Sequence, residues 1–164
     1  MNPPMIQELV EQELISNYAS MYRLAFSYVK NEPDAMDIVQ ESAYLAIKNA
    51  STVRNQNYIR TWIFRIVINT ALSALRQNSS EISAEIISEQ GKNDRYTDFD
   101  TLEALNILNS KERTIVTLRY FEDCRLQDIA DTLEENLSTV KSILYRSLKK
   151  LRVELTEGDD CYER

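Results

Sequence analysis

The chain has 164 residues, enough for one ordinary domain or two small ones, and 43% of them are apolar, enough to build a core. With 2 glycines and 3 prolines it lacks material for the many tight turns of β or α/β folds, so an all-α architecture is expected. There is no histidine, which excludes His-based catalysis, triads and His-ligated metals, and the net charge of −7 argues against a uniformly basic nucleic-acid binder.

Apolar residues at Ile6, Leu9, Val10, Leu14, Tyr18, Met21, Tyr22, Leu24, Ala25 and Tyr28 recur at helical spacing, predicting one or two amphipathic helices across 5–30. Residues 31–34 read as a turn, with Asp34 the expected cap of the next helix and Pro33 just before it. That helix covers about 34–49, with Ala35, Ile38, Val39, Ala43, Leu45, Ala46 and Ile47 as its apolar positions. The polar run 51–57 reads as a loop. From Tyr58 to Gln77 the pattern is helical again, through Ile59, Trp62, Ile63, Ile66, Val67, Thr70, Ala71 and Leu75.

Residues 78–99 lose periodicity and gain Asn, Ser, Glu, Asp and Gly91, the texture of a linker with a short helical piece at 81–89. Beyond it, Leu102, Leu105, Ile107 and Leu108 predict a helix stopped by Asn109, and Ser110 is the expected cap of another carrying Ile115, Val116, Leu118, Tyr120 and Phe121. Helices at about 125–133 and 138–153 follow. The expected architecture is two small helical domains, 1–78 and 100–155, joined by an acidic linker, 79–99, with an acidic tail at 156–164; the second is a four-helix domain with a helix-turn-helix.

Cys124 and Cys161 have no partner motif and read as thiols of a reducing cytosol, a lone disulfide being the alternative. No apolar run approaches the roughly 20 residues of a membrane span, and no signal-peptide pattern opens the chain. A cytoplasmic protein is therefore expected. With two glycines, no phosphate-cradling loop of the common types can be written. An enzyme is not expected, nor is a cofactor, metal or small-molecule substrate.

Charge is strongly segregated. Residues 42–80 carry 5 basic groups and no acid, and residues 136–152 again carry 5 basic groups and no acid. Phosphate contacts would concentrate on these two islands, while affinity of the whole chain for bare DNA should be low. The second island lies in a helix-turn-helix pattern. Leu126, Ile129, Ala130 and Leu133 form the buried stripe of its first helix, and small Ala130 allows a second helix to cross closely. After a turn at 134–137, Ser138 or Thr139 is the expected cap of the second helix. Val140, Ile143, Leu144, Leu148 and Leu151 face inward, and Lys141, Ser142, Tyr145, Arg146, Lys149 and Lys150 face outward. Such a helix places polar residues at base edges and cations near phosphates.

Two stretches together resemble a family. The run Asp34 to Glu41, DAMDIVQE, resembles the DAEDLVQE signature in the N-terminal domain of bacterial RNA polymerase sigma factors, and YIRTWIFRIVINTAL, Tyr58 to Leu72, is similar to the helix that follows it. Leu108 to Arg152 is similar to the family's C-terminal domain, and the short two-domain layout resembles the extracytoplasmic-function group. The resemblance implies that Asp37, Ile38, Gln40 and Glu41 grip the clamp helices of the polymerase β′ subunit, the core's β subunit being a further partner. It implies that Arg54, Asn55, Gln56 and Asn57 form the pocket for a flipped base of the minus-ten element, with Arg60, Arg65 and Asn69 facing DNA beyond it. Trp62 is expected to pack in the core. Lys141, Ser142, Tyr145 and Arg146, with Ser138, Thr139 and Lys149, match the face that reads the minus-thirty-five element.

The resemblance further implies promoter DNA as ligand and an anti-sigma factor, in many cases membrane-anchored, that holds the protein inactive. The acids Glu81, Glu85, Glu89, Asp94, Asp98 and Asp100 would mimic nucleic-acid charge along the polymerase's RNA path. Three positions depart from the pattern. Glu134, followed by Glu135, stands where the turn usually has Gly, Ile143 where Arg is common, and Asn109 where Pro is usual. Two other readings stay open at this point. One is a regulator that uses the helix-turn-helix alone; the other is an inactive adaptor that binds polymerase or another protein without reading DNA.

Overall fold

The computed structural model describes residues 3–81 and 105–159, with side chains described over 5–77 and 105–152. The expected linker from residue 82 on, the start of the helix predicted at 101 and the last five tail residues lie outside the described residues, while 79–81 of that linker belong to a helix. The chain forms two compact units, one built chiefly on residues 1–83 and the other chiefly on the residues after them. Among the described residues every regular element is helical.

In the first unit α1 spans Pro3–Ser16, α2 Tyr18–Val29, α3 Glu32–Lys48 and α4 Ile59–Glu81. Short 3-10 turns at Ala50–Thr52 and Gln56–Tyr58 lie between α3 and α4. The break between α1 and α2 falls at Asn17, whose side-chain amide donates to the Glu13 carbonyl and to Glu13 Oε2, both at 2.8 Å. α2 ends on Lys30 in the left-handed region, φ 59°, with its N–H on the Phe26 carbonyl at 2.8 Å.

Asn31, and not Asp34, caps α3: its Oδ1 accepts from the Asp34 N–H at 2.9 Å. Pro33 is the physical reason. It has no N–H to lose and its fixed φ suits the first helical turn, so the helix starts ahead of it and the cap moves back.

Helices α2, α3 and α4 pack on one another and α1 closes one side. Met21, Leu24 and Ala25 from α2, Ala35, Ile38, Val39 and Ala46 from α3, and Ile63, Phe64, Val67, Ile68 and Ala71 from α4 are all buried. Each large one contributes about 1.5–3 kcal/mol of burial. The alanines and Ser42 leave room for the helix axes to approach. Trp62, expected in the core, is half-buried.

In the second unit the first described element is a 3-10 turn, Leu105–Ile107, within the stretch where a helix was expected, and Ile107 is exposed. Helix α5, Ser110–Val116, continues into a π-helical turn, Thr117–Phe121. α6 is Leu126–Leu133 and α7 is Leu137–Asp159. Asn109 caps α5 where Ser110 was expected to: its Oδ1 accepts from the Glu112 N–H at 2.9 Å, and its own N–H donates to Glu112 Oε1 at 3.4 Å. This reciprocal box needs an amide or hydroxyl side chain, which the family's usual proline cannot supply. α7 begins at Leu137, ahead of the Ser138 and Thr139 expected as caps, and runs on to Asp159, into the stretch read as a tail.

Candidate nucleic-acid interface and docking groove

In the second unit the site is built on the turn between α6 and α7. Ile129 and Ala130 are buried at 0% and 1% exposure, as the stripe requires, while Leu126 and Leu133 are half-buried. α6 stops in a Schellman turn: the Glu135 N–H reaches the Ala130 carbonyl at 2.9 Å and the Glu134 N–H the Asp131 carbonyl at 3.3 Å. Glu134 sits at φ 54°, the left-handed position that favours glycine. Replacing Glu134 with Gly should therefore stabilise the unit by about 0.5–1 kcal/mol, raising the thermal midpoint by roughly 4 °C. A midpoint that stays put or falls would show that the Glu134 side chain offsets its own strain. Glu135 is partly buried and ion-paired with Lys111, so its charge is answered within the unit.

The buried residues of α7 as far as Arg152 are Val140, Ile143, Leu144 and Ser147, spaced to line one face. Ile143, which departs from the family's usual Arg, is 7% exposed and belongs to the core, as its place on the inward face predicted. On the other side Ser138, Lys141, Ser142, Tyr145, Arg146 and Lys149 are all exposed, and Thr139 is half-buried. Tyr145 is 69% exposed. The Ser142 hydroxyl donates to the Ser138 carbonyl at 2.9 Å, so it offers lone pairs outward. The face holds cations, hydroxyls and one aromatic ring, with no acid from Asn136 to Arg152.

Lys150, which periodicity placed among the outward cations, has another role. Its Nζ lies 2.9 Å from Oε1 of Glu112, whose side chain is 1% exposed. Ser147 Oγ donates to the Ile143 carbonyl at 2.6 Å and also lies 3.4 Å from Glu112 Oε2. Burial pushes the Glu112 carboxyl up, but the Lys150 and Asn109 hydrogen bonds and the charges of Lys150 and Arg146 outweigh it and hold the group below its ordinary value.

In the first unit the loop between α3 and α4 is pinned by buried Val53 and Ile59, and the five residues between them, Arg54 to Tyr58, are all exposed. Asn55 Oδ1 accepts from the Asn57 N–H at 3.0 Å, which rigidifies the turn and occupies that amide oxygen. Gln56 and Asn57 present their amides to solvent. Arg60 is anchored, its Nε donating to Asn17 Oδ1 at 3.2 Å and its guanidinium lying 5.1 Å from the centroid of Phe64.

Arg60 and Asn69 are nine residues apart on one helix, about 180° around its axis, so they face opposite ways. Asn69 joins Asp34, Asp37, Ile38, Glu41 and Gln77 along an open groove of about 520 Å³ between α3 and α4. The structure thus brings Asn69 to the residues expected to dock polymerase, away from the loop at 54–57. Asp37, Gln40 and Glu41 are exposed and Arg65 is half-buried. Ile38, at 3% exposure, forms the floor of the groove and offers little surface. Among the described residues no acidic or cysteine cluster could hold a metal, and no helix is long and apolar enough to cross a membrane.

The family profile described as Sigma-70 region 2 matches residues 14–81, and that described as Sigma-70, region 4 matches residues 99–151. RNA polymerase sigma factor SigV of Bacillus subtilis (strain 168) is 46% identical over 143 residues, which cover 84% of this chain and 86% of that protein. The chain belongs to the RNA polymerase sigma factors. ECF RNA polymerase sigma factor SigW of the same organism is 24% identical over 156 residues, 84% of this chain and 83% of its own. Among solved structures, the sigma factor RpoE of Bartonella quintana, crystallised with the anti-sigma factor NepR, has the same fold. Its TM-score is 0.74 at 23% identity, covering 89% of this chain and 96% of that one.

This sigma factor accordingly directs transcription initiation. Glu112 is the residue that reading the sequence passed over. The signal was present, since Glu three residues after Asn109 is a capping-box spacing. Its tie to Lys150 spans 38 positions, and no local periodicity reports it.

Proposed function

We propose that this sigma factor divides its work between two parts of the chain. Residues 1–78 dock on core polymerase and capture the minus-ten strand; residues 100–155 read the minus-thirty-five element; 79–99 links them, and 156–164 is an acidic tail. The observation that carries the reading is the acid-free exposed face of α7, from Ser138 to Lys149, following a tight turn at a buried alanine. Cations there answer phosphates, and the Ser142 hydroxyl and Tyr145 ring answer base edges.

Docking on the β′ clamp helices falls to exposed Asp37, Gln40 and Glu41, with Ile38 bracing α3 from below and Asn69 beside them in the groove. The flipped base of the minus-ten element goes to the loop Arg54 to Asn57, with Arg60 beside it and Arg65 more than a turn further along α4 for the adjoining DNA. The chemistry of transcription belongs to the core enzyme: this chain is no catalyst, takes no cofactor and works in the cytoplasm. An anti-sigma factor holds it inactive by covering these surfaces; the Bartonella sigma factor was crystallised in complex with one, NepR.

The test is to mix the purified protein with core RNA polymerase and genomic DNA and to map transcript start sites. A shared two-element motif upstream is the expected outcome, and start sites no different from those of core alone would sink the reading. For docking, the double substitution Asp37→Arg, Glu41→Arg should weaken core binding by at least ten-fold without moving the thermal midpoint, since both residues are exposed. Unchanged core affinity would move the docking site elsewhere.

A further inference from the structure

Asn17 marks the break between α1 and α2 and is 9% exposed. Its backbone is held on both sides: its N–H reaches the Glu13 carbonyl and its own carbonyl accepts from the Met21 N–H, both at 2.9 Å. Its side-chain amide is used at both ends. Nδ2 carries two hydrogens, and two acceptors lie 2.8 Å away, the carbonyl and the Oε2 of Glu13. With the nitrogen committed to Glu13, the amide oxygen turns the other way. There Oδ1 accepts from Nε of Arg60 at 3.2 Å, 43 positions later in the chain.

Arg60 stands at the start of α4, just beyond the 54–57 loop. A guanidinium on a long side chain samples many rotamers, and ordering it on binding costs affinity. Two contacts order this one in advance. The guanidinium lies over the Phe64 ring, 5.1 Å from its centroid, and Asn17 holds its Nε edge. Phe64 is fully buried, so the ring is a fixed floor, and Glu13 fixes Asn17 in turn. The negative charge of Glu13 also backs the amide dipole that faces the cation. We infer that Asn17 is a positioning residue for minus-ten recognition: it holds the Arg60 guanidinium in the orientation that meets a phosphate of the melted strand. The inference rests on the proposed placement of Arg60 beside that strand. A residue of the α1–α2 junction thereby sets the strength of a contact made by α4.

The test uses holoenzyme reconstituted from this protein and core polymerase, with a promoter found by the start-site mapping and made single-stranded across the minus-ten region. Asn17→Ala should weaken binding about five-fold, the scale of ordering one long side chain. Asn17→Ser, whose hydroxyl can reach back to the Glu13 carbonyl but falls a bond short of Arg60, should do the same. Arg60→Ala should weaken binding at least as much, and adding Asn17→Ala to it should cost nothing more. The slope of log affinity against log salt should become shallower in both single variants, by up to about 0.7 for the one phosphate concerned. Glu13→Gln with Asn17→Asp exchanges amide and carboxylate, keeps an acceptor toward Arg60, and should bind as the wild type does.

Unchanged affinity in Asn17→Ala and Asn17→Ser would overturn the inference. Losses that add in the double variant would do the same, since a tie that only staples helices together acts independently of what Arg60 touches. So would an exchanged pair as defective as Asn17→Ala. An Arg60→Ala that binds like the wild type fails at the earlier step: it removes Arg60 from the minus-ten contact and takes the inference with it. Core affinity, expected to be unchanged throughout, separates a misdirected guanidinium from a misfolded unit. Should Asn17→Ala lose core affinity, Asn17→Ser and the exchanged pair decide.

Discussion

Reversing two charges on α7, Lys141→Glu with Arg146→Glu, should abolish the minus-thirty-five element's contribution to promoter binding while leaving core binding intact. Both side chains are exposed and neither residue lies in the packed face of Val140, Ile143, Leu144 and Ser147, so the unit should fold as before. Each good base or phosphate contact is worth about 1–3 kcal/mol, and replacing a cation with an anion adds repulsion to the loss. Two such changes exceed a hundred-fold in affinity for the upstream element. The salt dependence of holoenzyme binding should also become shallower, by roughly one unit of slope for each phosphate no longer neutralised. A matching loss of core affinity in the same variant would refute the division between α7 and the α3–α4 groove.

The second large effect concerns stability. Glu112→Ala should destabilise the second unit by about 2–3 kcal/mol, because it removes the α5 capping box, leaves a hole where a buried side chain was, and takes a partner from Lys150. The thermal midpoint should fall by roughly 10 °C. The pH dependence is the sharper readout. The Glu112 carboxyl titrates lower in the folded protein than its ordinary value of 4.5, so the folded state binds fewer protons than the unfolded chain in that range. Its contribution is present above about pH 4.5 and is lost as pH falls through the lower folded value. Glu112→Gln, which can still cap, should lose stability at neutral pH and show a flatter decline on acidification, as followed by circular dichroism. A variant whose acid profile parallels the wild type would show that other carboxylates govern acid unfolding.

Much of this fold could be read from periodicity, because burial imposes a helical repeat on the apolar residues of every long helix. Ile59, Ile63, Val67 and Ala71 were legible for that reason, and so were Ile129, Ala130 and Val140. Periodicity is silent where a single polar contact decides. Asp34 and Ser110 look like caps, but Pro33 and the partnership of Asn109 with Glu112 move both helix starts back. It is silent again where one helix carries two polar surfaces: Arg60 and Asn69 look alike as polar residues on α4, and only the helical turn separates the loop from the groove. The positive φ of Glu134 was legible as a question, since the turn pattern asked for glycine, and the backbone answers it.

The Glu112 cluster also governs aim. Ser147 and Lys150 stand three residues apart on α7 and reach the same carboxylate from adjacent turns. Sliding α7 by one helical turn, about 5.4 Å, would leave a charge inside the unit with neither partner in reach. Rotating it would do likewise. The direction in which Lys141, Ser142 and Tyr145 point is thereby fixed from the opposite side of the helix, by a residue buried inside the unit. On the proposed reading of α7, a substitution there would blur promoter choice as a misaligned sight blurs a target, with every exposed residue of that face still in place.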